Sequence, residues 1–267
     1  MRMTIMRRTS GNKARPGRGW LVSCPAVTIA AVVVALTPWT AGPVSAQPLE
    51  IDHVFVFASP DAPEAAVLRE AGFVVFPETS RHQGQGTASI SVMFENAYLE
   101  LIWIDDAEEF AAVGLGMAER RASEAGSPFG TGLRRTSPDA EIPFPTETYT
   151  NTWMTGMPPI EMVPWSGAVR EPLIFVVPDM MSWDTTLGQV PQLAQFTEHD
   201  TGVGALTAVR LEGPGLPTES EAISALGELG VVEFVSGFEH VAHLTFDEGA
   251  QGETLDLRPS LPVVLHY

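Results

Sequence analysis

Residues 51–104 restrict the fold more than any other part of the chain. Residues 51–58 (IDHVFVFA) are apolar, β-branched or aromatic, the composition of a strand. Alternation puts His53, Phe55 and Phe57 on one face and Val54 and Val56 on the other. Asp61, Ala62, Pro63 and Glu64 read as a capping-box start with proline in the first turn. Ala65, Leu68 and Ala71 then form a helical stripe, and Gly72 is a natural helix stop. Residues 73–76 predict a second, short strand. A glycine-rich loop from Arg81 to Thr87 leads into a third strand over 88–94, and a turn at Glu95 and Asn96 leads into a fourth over 98–104 (YLELIWI). The order is βαβββ, which places the chain in the α+β class.

Composition supports a packed domain. Hydrophobic residues make up 45% of the 267 and charged residues 18%, enough apolar material for a sizeable core and too much for global disorder. The single cysteine, Cys24, excludes an intramolecular disulfide and a cysteine-rich zinc or iron–sulfur site. Charge is unevenly spread. Residues 1–46 carry Arg2, Arg7, Arg8, Lys13, Arg15 and Arg18 and no acid. Residues 47–267 hold nine arginines, no lysine and all 33 acidic residues, a balance of -24. That balance argues against a nucleic-acid partner, which needs basic side chains facing phosphates. It reads as a soluble, self-repelling surface.

The basic N-terminus reads as an export address. Residues 25–37 (PAVTIAAVVVALT) are mostly apolar, but thirteen helical residues span only about 20 Å, short of a roughly 30 Å hydrocarbon core. Pro38 and Pro43 break the helix, and Val44, Ser45 and Ala46 supply small residues before Gln47. The pattern predicts a secretory signal peptide over 1–46, export to a periplasmic or extracellular space, and no stable membrane span after cleavage. The competing reading is a retained anchor. Cys24 precedes the apolar run, whereas a lipoprotein cysteine follows it.

The run Asp52-His53-Val54, then Ala71-Gly72-Phe73, then Gly84-Gln85-Gly86-Thr87-Ala88, then Tyr98-Leu99-Glu100-Leu101 resembles the glyoxalase-like branch of the vicinal oxygen chelate superfamily. The close match covers about residues 50–105, and residues 125–130 (AGSPFG) add a weaker one. The resemblance implies paired βαβββ modules that curl into a cup, often around a divalent metal. Ligands come from the first and last strands of each module. It places His53 and Glu100 at those positions. A neutral imidazole and a carboxylate suit zinc, manganese or ferrous iron. The bland readings stand beside this one. A histidine in an apolar strand is often a buried residue bonded to its neighbours. Glu100, between two leucines, must be wet, paired or bound to metal, because an unpaired buried carboxylate is costly. His82 reads as lining the cup mouth or as a surface residue. The glycine-rich loop leads into a strand rather than a helix, so it is no phosphate loop.

Two further modules complete the expected domain over 47–267, at about 126–180 and 204–267. The middle one reads as reduced, with strands over 129–135, 149–154 and 172–177. In register with His53 and Glu100 it offers only Gly, Thr, Leu, Ile, Phe or Val. The last predicts strands over 205–211, 231–235, 240–246 and 254–257, with a helix opened by a capping box at Thr218 to Glu221. Aligned on the first module, it puts Asp256 opposite Glu100. If these two modules share a cup, His53, Glu100 and Asp256 form a ligand set. His199 and Asp200 are placed near its mouth. No G-x-S-x-G elbow or G-x-x-x-x-G-K loop is present. Two functions remain open. One is a metal-dependent lyase, isomerase or dioxygenase acting on a small oxygen-chelating substrate, with Glu100 or a metal-bound water doing acid–base work. The other is a metal-free, non-catalytic protein whose cup (Phe55, Phe57, Tyr98, Ile102) binds a small molecule. Neither reading specifies an oligomeric state.

Overall fold

The computed structural model describes residues 47–150, 152 and 155–267. The expected signal peptide, and residues 151, 153 and 154 of one expected strand, lie outside the described residues. Among the described residues no helix is long and apolar enough to cross a membrane.

The first module contains β1 (Leu49–Phe57), α1 (Ala65–Glu70), β2 (Ser80–His82), β3 (Thr87–Met93) and β4 (Tyr98–Ile104). Two short helices follow, α2 (Ala107–Ala112) and α3 (Met117–Ala122). The second module has no helix between its first two strands: β5 (Phe129–Arg135), β6 (Glu147–Tyr149), β7 (Ile160–Met162) and β8 (Leu173–Val176). These eight strands form one curled sheet in the order β2-β3-β4-β1-β5-β8-β7-β6. Each module contributes its first strand to the centre and its last strand next to it. β1 and β5 pair antiparallel, while β4 and β8 flank them in parallel. This is the cup architecture that the resemblance implied, with the first and second modules as partners.

Two local expectations change. Residues 73–76 pair only through a bridge from Val75 to Val92, since Pro77 has no N–H to continue the ladder. The strand instead resumes at Ser80. The expected cap at Asp61 does not form. Asp61 and Ala62 turn with positive φ of 63° and 44°, and Glu64 reaches back to accept a hydrogen bond from the Ser59 N–H.

Period-two alternation decides the two faces. Val54, Val56, Leu99, Leu101 and Trp103 turn to the back and join α1 in the main core. Phe55, Phe57 and Ile102 turn to the hollow face with Leu173 and Phe175. Burying each large side chain contributes on the order of 1.5–3 kcal/mol, which makes a one-residue slip of either strand prohibitive.

After α4 (Trp183–Gln189), the third module builds a separate sheet from β9 (Leu206–Gly213), α5 (Glu221–Glu228), β10 (Glu233–Ser236), β11 (Val241–Phe246), β12 (Thr254–Asp256) and β13 (Val263–His266). Its order is β10-β9-β11-β13-β12. β9 is flanked by β10 and β11, so the strand carrying Asp256 cannot lie beside it as β4 lies beside β1. A last strand over Val263–His266, which the sequence reading passed over, sits between them. This sheet packs into the same apolar core as the back of the cup, with the Phe94 and Phe246 rings 4.4 Å apart. Asn96 ties the two sheets: its Nδ2 donates to Leu206 O (2.9 Å) and its Oδ1 accepts from Leu206 N (2.8 Å).

Candidate functional site

The hollow face encloses a cavity of about 360 Å³. Its two halves differ in chemistry. The first-module wall presents His53, His82, Ser89, Ser91, Tyr98 and Glu100. The second-module wall presents carbon, from Ile160, Met162, Leu173, Phe175 and Val177, with Tyr149 at the far side.

Register places His53 and Glu100 on one face. In the β1–β4 pair His53 lies opposite Tyr98, and Phe55 lies opposite Glu100. Both residues are buried. Asp52 makes the decisive contact. On a regular strand, adjacent side chains point to opposite faces. Here a register shift between Ile51 and His53 marks a bulge in the β1–β5 pairing, which re-aims the side chains. The fully buried Asp52 carboxylate reaches His53 Nδ1 at 2.7 Å, and its other oxygen accepts from the Trp183 N–H at 2.6 Å. A carboxylate accepts, so Nδ1 donates, and in the neutral ring Nε2 is left as an acceptor. Among the described residues no hydrogen bond reaches that Nε2. The His53 ring is further held by stacking on Tyr98, with centroids 4.3 Å apart and planes 12° from parallel.

Two glycines make room for this floor. Gly130 and Gly132 lie opposite Phe55 and His53 on β5. A Cβ on Gly132 would stand 2.5 Å from His53 Cε1, and one on Gly130 would overlap the Phe55 ring. The G-T-G run was visible in the sequence as glycine in a strand, a signal of close approach. Asp52 and Trp183 carried no comparable signal.

His82 ends β2. Its Nδ1 lies 2.9 Å from Thr87 Oγ1 and its Nε2 lies 3.7 Å from Glu100 Oε1. Burial pushes its pKa below the usual histidine value, against the opposing pull of Glu100, so it is neutral at pH 7. Burial, then the charges of Asp52 and Glu100, push the Tyr98 hydroxyl well above its usual value and keep it protonated.

Asp256 does not join this group. It is exposed on the edge of the second sheet and is held by Arg258, whose Nη2 lies 2.6 Å from Oδ2. Those bonds bring its carboxyl down to about 2. His199 is likewise away from the cavity: Nδ1 accepts from Val74 N–H, Nε2 faces Met93 O, and the ring packs on Phe73 and Phe94. The expected three-ligand set is therefore not assembled.

A family model described as a glyoxalase-like domain matches residues 51–227. The chain belongs to that family. Comparison with curated proteins gives no match. Solved structures with a similar trace include a hypothetical protein from Staphylococcus aureus, at 10% identity and TM-score 0.46, covering 81% of this chain and 98% of that one. Another is a xylose isomerase-like TIM barrel/4-hydroxyphenylpyruvate dioxygenase fusion protein, at 10% identity and TM-score 0.40, covering 76% of this chain and 38% of that one. Glyoxalase-like proteins typically bind small molecules, and vicinal oxygen chelate proteins often use a divalent metal. The donors of this cup do not fit such an ion. His53, His82 and Glu100 all come from one module, the opposing registers supply Gly130, Gly132, Leu173 and Phe175, and among the described residues no three His, Cys, Asp or Glu side chains converge on a metal position.

Proposed function

We propose that this glyoxalase-like protein binds a small, largely apolar molecule in its cup and moves a proton at His53 without a metal. The observation that carries this reading is the buried Asp52–His53 pair. Asp52 fixes the tautomer and ring orientation and stabilises the imidazolium that forms when Nε2 takes a proton. A positioned base of this kind contributes roughly 10²–10⁴-fold to a proton transfer. Phe55, Ile102 and the carbon wall of β7 and β8 exclude water from the reacting end. His82 and Glu100 form the polar rim against which a ligand hydroxyl or carbonyl is oriented. The proton leaves the ligand for Nε2 and returns to a different atom of the same ligand, which is isomerase chemistry.

A second reading, a binding protein without chemistry, is supported by the carbon surface that β7 and β8 present to the cavity. Deuterium exchange separates the two. Small aryl methyl ketones, incubated with the protein in D2O and a chelator, are expected to exchange next to the carbonyl, and His53→Gln to lose that exchange while still binding the ketone. Equal exchange in wild type and His53→Gln refutes the proton-transfer reading. Binding that needs added zinc, manganese or ferrous iron refutes the metal-free reading.

We also propose that the protein acts outside the cytoplasm, supported by the basic, apolar and small-residue pattern of residues 1–46. The intact mass of the native protein is expected to correspond to a chain beginning at Gln47. A full-length mass would refute this.

A further inference from the structure

Among the described residues, the cavity lining holds one buried carboxylate, Glu100, and no fixed positive charge. None of the described residues lining the cavity is Lys or Arg. Two nearby guanidiniums lie outside the described lining: Arg81 is paired with Asp105, and Arg121 lies over Phe57, 5.1 Å from the ring centroid. The carboxyl of Glu100 has its Oε1 3.7 Å from His82 Nε2, beyond hydrogen-bond reach, and no described residue donates a hydrogen bond to it. On the same wall the Ser89 hydroxyl is buried with no hydrogen-bond partner among the described residues. Aromatic faces surround these groups: Phe55, Phe76, Tyr98, Phe175 and Trp183 all line the cavity.

Resting on the reading of the cup as a ligand site, we propose that it selects an organic cation, an apolar skeleton bearing an ammonium group, and rejects anions. The ammonium would sit between Glu100 and the aromatic rings. A cation there meets a carboxylate in a medium of low dielectric constant and the negative faces of the rings. An anion meets the Glu100 carboxylate, with the Asp52 charge buried beyond His53, and no compensating charge among the described residues lining the cavity, which is the costly arrangement for a buried group. His82 is held neutral by burial and does not reverse the sign. The -24 balance of residues 47–267 works in the same direction at long range.

The test uses three ligands with one skeleton: 3-phenylpropylamine, 3-phenylpropan-1-ol and 3-phenylpropanoate. Each is titrated calorimetrically into the full chain at pH 7 with a chelator present. The amine is expected to bind about tenfold more tightly than the alcohol, and the carboxylate more weakly than either. Glu100→Gln, which keeps the shape, is expected to bring the amine to the affinity of the alcohol. Ser91→Lys places an ammonium directly across the β3–β4 pair from Glu100 and is expected to favour the carboxylate over the amine. Equal binding of amine and alcohol, or an amine preference that survives both substitutions, overturns the charge selection and leaves the cup as a ligand site. Failure of all three ligands to bind at millimolar concentration overturns the ligand-site reading, and the cation proposal with it.

Discussion

Replacing Gly132 by alanine tests the architecture of the cup floor. The added Cβ would lie 2.5 Å from His53 Cε1, 2.7 Å from Nδ1 and 2.8 Å from Nε2. Those near-equal distances put the methyl over the ring rather than at its tip. Carbon atoms prefer a separation of about 3.5–4.0 Å, so the ring must retreat by about 1 Å. The stacked Tyr98 ring limits that retreat. A 1 Å movement away from Asp52 would stretch the 2.7 Å bond beyond hydrogen-bond range. Overpacking costs about 1–3 kcal/mol, and losing a hydrogen bond to a charged group a further 1.5–3 or so. The sum is a large part of the roughly 5–15 kcal/mol that holds a domain together. Gly130→Ala is the control. It presses on Phe55, which has no hydrogen bond to lose, so only the overpacking cost applies. Urea unfolding gives the two stabilities, and ¹⁵N-edited NMR of the imidazoles reads the His53 tautomer. Gly132→Ala is expected to lose the protected Nδ1–H signal and Gly130→Ala to keep it. A Gly132→Ala protein with a wild-type His53 signal and stability would refute the account of the floor.

Three further outcomes follow from the same geometry. Asn96→Ala removes both hydrogen bonds to Leu206 and is expected to cost about 2–3 kcal/mol in urea unfolding; a change below about 0.5 would contradict its role as a tie between the sheets. His82, His199 and His240 are all held below the ordinary histidine pKa of 6.5 by burial. The unfolded chain therefore takes up protons that the folded chain refuses as pH falls below 6.5. Stability present above that value is lost on acidification, so the melting temperature is expected to drop between pH 6.5 and 5, less steeply in His82→Gln; a flat profile would refute this. Asp256→Ala is expected to leave ligand affinity in the cup unchanged, whereas loss of binding would place that carboxylate at the site after all.

The sequence reading located β1 and β4 well because their alternation is strict and both faces are buried. It placed His53, Phe55, Tyr98 and Glu100 on the faces they occupy for the same reason. It also read the second module as reduced, and between β5 and β6 no helix forms. Which modules share a sheet stayed open, because edge pairing depends on contacts remote in sequence. The second and third modules offered equally plausible strands, and the pairing of β1 with β5 and the placing of β13 between β11 and β12 settle the matter against Asp256. The Asp52–His53 pair escaped notice because period-two reasoning puts neighbouring side chains on opposite faces, and only the bulge in β1 defeats that rule.

What this chain's residues determine by themselves is local: the strand faces, the helical stripes, the acid excess and the carboxylate carried between Leu99 and Leu101. Those properties depend on backbone period and side-chain chemistry within a few residues. Tertiary structure alone decided which strands became neighbours, that the hollow has one polar and one carbon wall, and that Asp52 grips His53. Each of these requires groups far apart in the chain, or a break in strand regularity that exists only when β1 meets β5.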